Sequence, residues 1–431
     1  MKYAICTLGC KVNQFETQAI ETMLSELGYE PSQDGGADVV IVNTCAVTAE
    51  SGRKSRQAIR RLKSQNPGAL TAVCGCFSQV EPKDIEALGA DIVFGSGRKR
   101  EFVEAIDKAL RGGEGECEID DPFRRRSFET LPAGALEGRT RAYMKIEDGC
   151  DNFCTYCVIP YARGRVLSMP LADAAEQAGR LAGEGYAEII VTGIEIASYG
   201  KDFHDGTKLI DVIETISKNA SNSRIRLGSI EPTVITENFV MRLKRCGNVC
   251  RHFHLSLQSG CDKTLKNMHR KYNTADFYEK VCLLRSEFPG CGLTADLIAG
   301  FPGETEEDHA ATLEFIKKCG FSDMHVFPYS IRPGTKAAAM PQQLTHAVKD
   351  ARARQAQEAA DEMRAAFLRS CIGKKLPVLF EAEHGGLWQG HADNYCLVAA
   401  SGSNLHGKMK NVLIESADGE KLVGKIVDFG E

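Results

Sequence analysis

Short β-rich runs alternate with helical stretches from the start of the chain to about residue 340, which restricts the fold to parallel sheets with helical crossovers. The first series has Tyr3–Thr7, Val39–Val42, Leu70–Val73 and Ile92–Phe94 as strands, with Phe15–Leu27 and Ser51–Lys63 among the helices between them. The second has Ala142–Ile146, Glu188–Thr192, Arg224–Leu227, His252–Leu257, Gly292–Ile298 and Asp323–Phe327, with helices such as Leu171–Gly183, Lys208–Ser217 and Thr305–Lys318. Six strand–helix units predict a partial (β/α)6 barrel whose site lies at the carboxyl ends of its strands. Residues 112–138, rich in Gly, Glu, Pro and Arg, read as a linker. After a helix over about 345–370 the period falls to two, and Leu376–Glu381, Asn394–Ala399, Asn411–Glu415 and Lys421–Val427 predict a small C-terminal antiparallel β-barrel. The class is α/β, divided at 1–111, 112–138, 139–371 and 372–431.

No apolar stretch reaches the roughly 18 residues of a membrane span. Met1–Cys10 reads as a strand and turn rather than a signal peptide, so a cytoplasmic protein with no membrane partner is expected. A reducing cytosol gives disulfides little use, and 17 cysteines is an odd count. Metal or redox chemistry is the better reading. The net charge of −5 does not point to nucleic acid. Arg53, Lys54, Arg56, Arg60, Arg61 and Lys63 share one helical pattern, and Arg124–Arg126 follow in the linker. On charge alone both read as solvated surfaces.

Cys150-Asp-Asn-Phe-Cys154-Thr-Tyr-Cys157 follows the first strand of the central series. Three thiolates within eight residues can hold three irons of a [4Fe–4S] cubane, whereas a ferredoxin run supplies a fourth cysteine nearby. Here the next cysteines are Cys117 and Cys246, so one iron stays open. That is the requirement for chelating S-adenosylmethionine and cleaving it to a radical. Zinc would need a second such pair or a histidine.

Cys10, Cys45 and Cys76 share a different relation. Each lies just past the carboxyl end of a predicted parallel strand, and those ends line one crevice. A second three-thiolate cluster fits there, but buried structural thiols fit the spacing equally well. Cys74 competes for the third place. Cys76 is preferred because Gly75-Cys76 repeats the turn of Gly9-Cys10, while Cys74 falls inside the apolar strand.

The chain resembles the radical S-adenosylmethionine methylthiotransferases along nearly its whole length. The resemblance rests on Thr7-Leu-Gly-Cys-Lys-Val-Asn-Gln-Phe-Glu-Thr17, Val42-Asn-Thr-Cys-Ala-Val-Thr48, Asp148-Gly-Cys-Asp-Asn-Phe-Cys-Thr-Tyr-Cys-Val-Ile-Pro160 and Arg163-Gly-Arg165. Gly228-Ser-Ile-Glu-Pro232, His254-Leu-Ser-Leu-Gln-Ser-Gly260 and Ala295-Asp-Leu-Ile-Ala-Gly-Phe-Pro-Gly-Glu304 continue it. It implies that Cys10, Cys45 and Cys76 bind an auxiliary [4Fe–4S] cluster in residues 1–111. It also implies that 139–371 is the radical core and 372–431 a TRAM-like RNA-binding barrel. The Gly-Cys-Lys-Val-Asn-Gln string and His325-Val-Phe-Pro-Tyr-Ser-Ile-Arg-Pro-Gly-Thr335 look most like the branch acting on N6-threonylcarbamoyladenosine beside the tRNA anticodon. The implied product is its 2-methylthio derivative. S-adenosylmethionine would serve as methyl donor and radical source, and a flavodoxin- or ferredoxin-like protein as electron donor. Adenine C2–H is not acidic, so acid–base catalysis fails there and a radical is the reasonable tool. The alternatives are an isopentenyladenosine in tRNA, a ribosomal-protein aspartate, or a non-catalytic iron–sulfur RNA-binding redox sensor.

The candidates for cofactor contacts are Tyr156 in the cysteine loop, the strand-end glycine Gly193, and the polar residues Glu231, Ser256, Gln258, Arg270 and Asp296 of the core. Arg332, beside Pro333-Gly334, is the candidate for a bidentate pair with the threonyl carboxylate. Glu195 is a second substrate candidate, standing where the family pattern leads one to expect His or Asn. Asn273 stands where Thr is expected. Residues 372–431 hold six Lys and no Arg against eight Asp or Glu, a weak charge basis for RNA binding. Tyr395, Trp388 and Phe429 are possible stacking partners there.

Overall fold

The structure is a computed structural model that describes residues 1–32, 35–134 and 140–427. The expected boundary at 138/139 and Phe429 lie outside them. The N-terminal unit is a six-stranded all-parallel sheet in the order Glu30–Pro31, Lys2–Thr7, Val39–Thr44, Leu70–Gly75, Ile92–Phe94, Cys117–Glu118. Its central strand Val39–Thr44 is buried at every residue, as a sheet covered by helices on both faces requires. The last strand corrects the expected linker, because Cys117–Glu118 pairs with Val93 and Phe94. Gly115 permits the approach: a Cβ there would lie 2.3 Å from the Asp91 carbonyl oxygen. Helix Ala49–Gln65 starts in a capping box, with the Thr48 hydroxyl accepting from the Ser51 N–H (3.0 Å) and the Ser51 hydroxyl from the Thr48 N–H (2.9 Å).

In the central unit Arg141–Lys145, Glu188–Thr192 and Arg224–Leu227 form one parallel sheet, and Ser229–Ile230, His252–Gln258, Gly292–Ala299 and Asp323–Pro328 another. The chain steps from one to the other at Gly228, where a Cβ would sit 2.9 Å from the Val191 carbonyl oxygen. The result is an arc of parallel strands, a partial barrel. Helix His346–Ser370 packs on Asp323–Pro328 and on helix Glu306–Cys319. The C-terminal unit is a closed five-stranded barrel. Its strand Leu387–Ala392 has no counterpart in the sequence reading, because Gln389, Gly390 and His391 break the apolar alternation.

Core arginines held by a buried carboxylate join this small barrel to the core through its backbone carbonyls. Glu188 binds Arg224 (2.5 Å) and Arg226 (2.9 Å). The same guanidinium groups donate to the carbonyls of His391 (2.9 Å), Ala392 (3.0 Å) and Asp393 (3.0 Å). Tyr395 stacks on His252 at 4.6 Å and lies under Arg226, so its ring is used in docking rather than offered to a base. Trp388 packs against the small barrel's own core. Glu188, Arg224 and His252 are the first residues of their strands. The small barrel therefore sits at the amino ends of the core strands. Among the described residues no helix is long and apolar enough to cross a membrane.

Candidate functional site: two thiol triads and one cavity

Cys45 and Cys76 directly follow two neighbouring strands of the N-terminal sheet, and Cys10 lies three residues past the end of a third, Lys2–Thr7, that pairs with Val39–Thr44. Gly9 (φ +106°) and Gly75 (φ +110°) take left-handed turns that a side chain would obstruct. A Cβ at Gly9 would come within 2.9 Å of Cys45 Sγ, and one at Gly75 within 2.5 Å of the Thr44 carbonyl oxygen. The turns bring the thiols together, close enough that each raises another's pKa on top of the rise from burial. Cys74 is fully buried in the main apolar core, inside the strand Leu70–Gly75.

Arg163, from the core helix Ile159–Arg163, reaches into this triad. Its Nε donates to Cys76 Sγ (3.1 Å) and Nη2 to Asn13 Oδ1 (3.0 Å), while the same guanidinium grips both Glu16 oxygens and Asp148 (3.1 Å). Lys145 completes the group, 3.3 Å from Glu16 and 2.9 Å from Asp148. Burial works against the Glu16 charge, but Arg163, Lys99 and Lys145 outweigh it and hold the carboxyl below its ordinary value.

At the carboxyl ends of the core strands lies a cavity of about 340 Å³. Cys150, Cys154, Tyr156, Cys157, Glu195, Ser256, Gln258, Arg270 and Asp296 line it, with Val47 and Thr48 contributed by the N-terminal unit. Gln258 enters through a strand irregularity and holds φ +68°, a strained conformation for a residue with a side chain. Among the described residues no fourth cysteine lines the cavity. Burial pushes the Cys157 thiol up to about 12 and raises Cys150 as well, so ionising them calls for a cation. Iron held by these thiols would supply one, with the protons released on binding. Two donors already point at sulfur: the Asn152 N–H at Cys150 Sγ (3.5 Å) and Arg270 Nη1 at Cys154 Sγ (3.2 Å). The donor set fits a cluster with one open iron. Cys76 is near enough to Cys157 to add to the rise of its pKa.

Two of the expected cofactor residues are occupied by other side chains. Glu231 accepts from Asn152 Nδ2 (3.3 Å) and pairs with Arg270 (3.4 Å), behind the cavity wall rather than in it. Arg270 also donates to Tyr272 Oη (3.0 Å) and the Ser256 carbonyl (3.3 Å). Gly193 lies against Glu147, whose Oε2 would be 2.8 Å from a Cβ there and accepts the Glu195 N–H at 2.7 Å. Glu195 itself faces the cavity. Burial, helped by Glu231, pushes its carboxyl up to about 7, and its Oε1 has no partner among the described residues. Asp296 bonds with His254 (3.2 Å) and His325 (3.1 Å), and these bonds outweigh burial and keep it ionised.

Arg332 stands apart from the cavity lining. It is 6% exposed, and its Nε has no hydrogen-bond partner among the described residues. Burial pushes its guanidinium down, and the charges that act on it include Glu81, Cys45 and Arg56. Sequence reasoning gave no role to Asn13, Glu16, Glu147, Asn152, Arg163, Tyr272, His254 or His325. Most of these fall inside or beside the matched strings, which mark them without saying what they touch.

Residues 2–95 match the family described as Uncharacterized protein family UPF0004, and residues 144–316 match the Radical SAM superfamily. The chain is 38% identical over 424 residues to the threonylcarbamoyladenosine tRNA methylthiotransferase MtaB of Bacillus subtilis, covering 96% of this chain and 94% of that one. It is 33% identical over 435 residues to the tRNA-2-methylthio-N(6)-dimethylallyladenosine synthase of Pelotomaculum thermopropionicum, covering 98% and 97%. The fold is similar to that of the radical S-adenosylmethionine methyltransferase TsrM from Kitasatospora setae (TM-score 0.57, 16% identity, 90% of this chain and 80% of that one). With such identity over almost the full length of both chains, and with a thiol triad lining the cavity at the barrel mouth, the protein belongs to the radical S-adenosylmethionine tRNA methylthiotransferases.

Proposed function

We propose that the protein methylthiolates C2 of N6-threonylcarbamoyladenosine beside the anticodon of tRNA, in the cytoplasm, drawing electrons from a flavodoxin- or ferredoxin-like protein. In this reading residues 1–111 carry an auxiliary cluster on Cys10, Cys45 and Cys76. Residues 139–371 carry a second on Cys150, Cys154 and Cys157, and 372–431 are a TRAM-like barrel reaching tRNA away from the reacting base. When bound, the two clusters and S-adenosylmethionine supply radical chemistry at an unreactive aromatic C–H and the sulfur and methyl group to be transferred. The chain's own side chains bind, orient and exclude water. Asn152, Arg270 and Tyr272 brace the cysteine loop, Ser256 and Gln258 offer polar atoms at the strand ends, and Tyr156 closes the wall.

The observation that carries the substrate is Arg332, a buried guanidinium on which the charges of Glu81 and Cys45 act and whose Nε has no hydrogen-bond partner among the described residues. A threonyl carboxylate would pair it, and a dimethylallyl group would leave it unpaired at a cost of several kcal/mol, roughly a hundred-fold or more in selectivity. Reconstituted enzyme is offered one tRNA bearing threonylcarbamoyladenosine, unmodified adenosine or isopentenyladenosine, and the nucleosides are read by mass spectrometry. Product only from the first supports the reading. Equal turnover on the others overturns it.

A further inference from the structure

We propose that the exposed face of helix Ala49–Gln65, together with the apolar rim at the cavity mouth, is the surface on which the anticodon arm of the substrate RNA docks. The inference rests on the reading of tRNA as substrate and goes beyond it in locating the contact. The small barrel cannot supply the contacts nearest the reacting base. It is docked at the amino ends of the core strands through His391–Tyr395, while the cavity opens at the carboxyl ends. Its segment also carries more carboxylates than lysines.

The helix has the opposite character. Gly52, Ser55, Ala58 and Ile59 are its buried face, and Arg53, Lys54, Arg60 and Arg61 project to solvent. Arg53 and Lys54 share the single carboxylate of Glu50, and Arg56 meets Asp84 at 3.3 Å. Six cations within eleven residues thus face two carboxylates, a surplus that phosphates can neutralise. Seven residues separate Arg53 from Arg60 and Lys54 from Arg61, so the cations form two rows about 10 Å apart along the axis.

Position makes this face more than a solvated helix. Val47 and Thr48, immediately before it, line the cavity, and the Ala49 N–H donates to Ser330 Oγ (3.0 Å) on the same rim. Beside them Val47, Phe327 and Ile331 are 51, 47 and 44% exposed, an apolar lip on an otherwise polar surface. An adenosine whose C2 must enter the cavity has to leave its stack, and its neighbours then need apolar faces. Proteins that read single-stranded loops supply this combination of aromatic platform and adjoining cations. An acidic electron-donor protein would also meet the cations, but the apolar lip at the entrance to the cavity favours the RNA.

The test uses full-length protein with both clusters reconstituted, and anisotropy of labelled tRNA between 50 and 200 mM salt, a range where phosphate contacts dominate. Arg60→Glu/Arg61→Glu should weaken binding about ten-fold or more and flatten the log–log salt slope by about 1.4 to 1.8, two phosphates' worth. Arg60→Gln/Arg61→Gln should do the same more mildly, which controls for damage from charge reversal. Phe327→Ala should weaken binding without changing the slope. Wild-type affinity and slope in both double variants would overturn the proposal and leave the substrate reading intact. Failure of the wild-type protein to bind tRNA would overturn the substrate reading itself. Unchanged tRNA binding with lost reduction by a flavodoxin would assign the face to the donor and overturn the proposal as well.

Discussion

Arg163→Met tests whether one guanidinium ties the auxiliary triad to the core. Arg163, Lys145, Glu16 and Asp148 form a cluster of two cations and two carboxylates, and Arg163, Lys145 and Glu16 are almost entirely buried. Methionine preserves much of the volume and removes one positive charge. Glu16 and Asp148 then keep Lys145 as their one directly paired cation, with Lys99 acting on Glu16 and Arg125 on Asp148, and the cluster loses its guanidinium bonds to both carboxylates. Breaking a buried ion pair in this way costs about 3–5 kcal/mol at neutral pH. The pH dependence gives the reasoning a second handle. In the wild type the Glu16 pKa is depressed, so its contribution to stability is present above the ordinary carboxylate value and lost as pH falls. In the variant Glu16 loses its main stabilising charge and its pKa rises. The deficit should be largest at pH 7 and shrink as pH falls through the ordinary carboxylate range. Urea unfolding of iron-free protein, followed by far-UV circular dichroism at both ends of that window, measures it. Arg163→Met/Glu16→Gln removes a charge of each sign and should recover part of the loss. A deficit below about 1 kcal/mol, or one independent of pH, would refute the argument that this cluster joins the two units.

Changing Cys150, Cys154 and Cys157 together to Ala should remove about half the iron and all cofactor cleavage; full iron would show the ligands lie elsewhere. Cys76→Ala should lose the other half of the iron, whereas Cys74→Ala should keep all of it and cost roughly 1 kcal/mol of stability; iron loss confined to Cys74→Ala would reverse the assignment. Glu195 has a folded pKa of about 7 against an ordinary 4.5, so it contributes stability below that ordinary value that is lost as pH rises through 7. Glu195→Gln should therefore flatten the fall of the urea midpoint across that window, and an unchanged slope would show that Glu195 does not carry it. Arg332→Leu should erase most of the preference for threonylcarbamoyladenosine over unmodified tRNA, about a hundred-fold, while leaving cofactor cleavage without tRNA intact; retained preference would exclude Arg332 as the carboxylate's partner.

What the sequence reveals and what it hides divide along a physical line. Glu188–Thr192 and Ile92–Phe94 are read to the residue because a strand buried on both faces carries an unbroken apolar or β-branched run, and Arg224–Leu227 because Arg-Ile-Arg-Leu alternates with a period of two. The auxiliary thiols are legible for a related reason. Parallel topology aligns all carboxyl ends, so three cysteines 35 and 31 residues apart meet without any local signal linking them. The missed strands are short or irregular ones fixed by a single close approach. Gly115 beside Asp91 sets Cys117–Glu118, and Gly390 passes the Leu379 carbonyl in the small barrel.

Polar partners are a different matter, since which charges share a buried space depends on how units pack. Arg163 and Glu16 are 147 residues apart, and Asn152 and Glu231 are 79. Arg270 and Glu231 both looked like free groups awaiting a cofactor, and the fold pairs them with each other. That pairing is itself informative. A guanidinium held by Glu231, Tyr272 and the Ser256 carbonyl cannot swing, so the nitrogen it presents to Cys154 is fixed in place before any iron arrives. Arg163 stands in the same relation to Cys76, fixed by Glu16, Asn13 and Asp148. Each triad thus has one immobilised arginine directed at one sulfur. At Cys76 the Arg163 charge works against the rise that burial imposes on the thiol, and the cation remains beside the sulfur when the proton leaves.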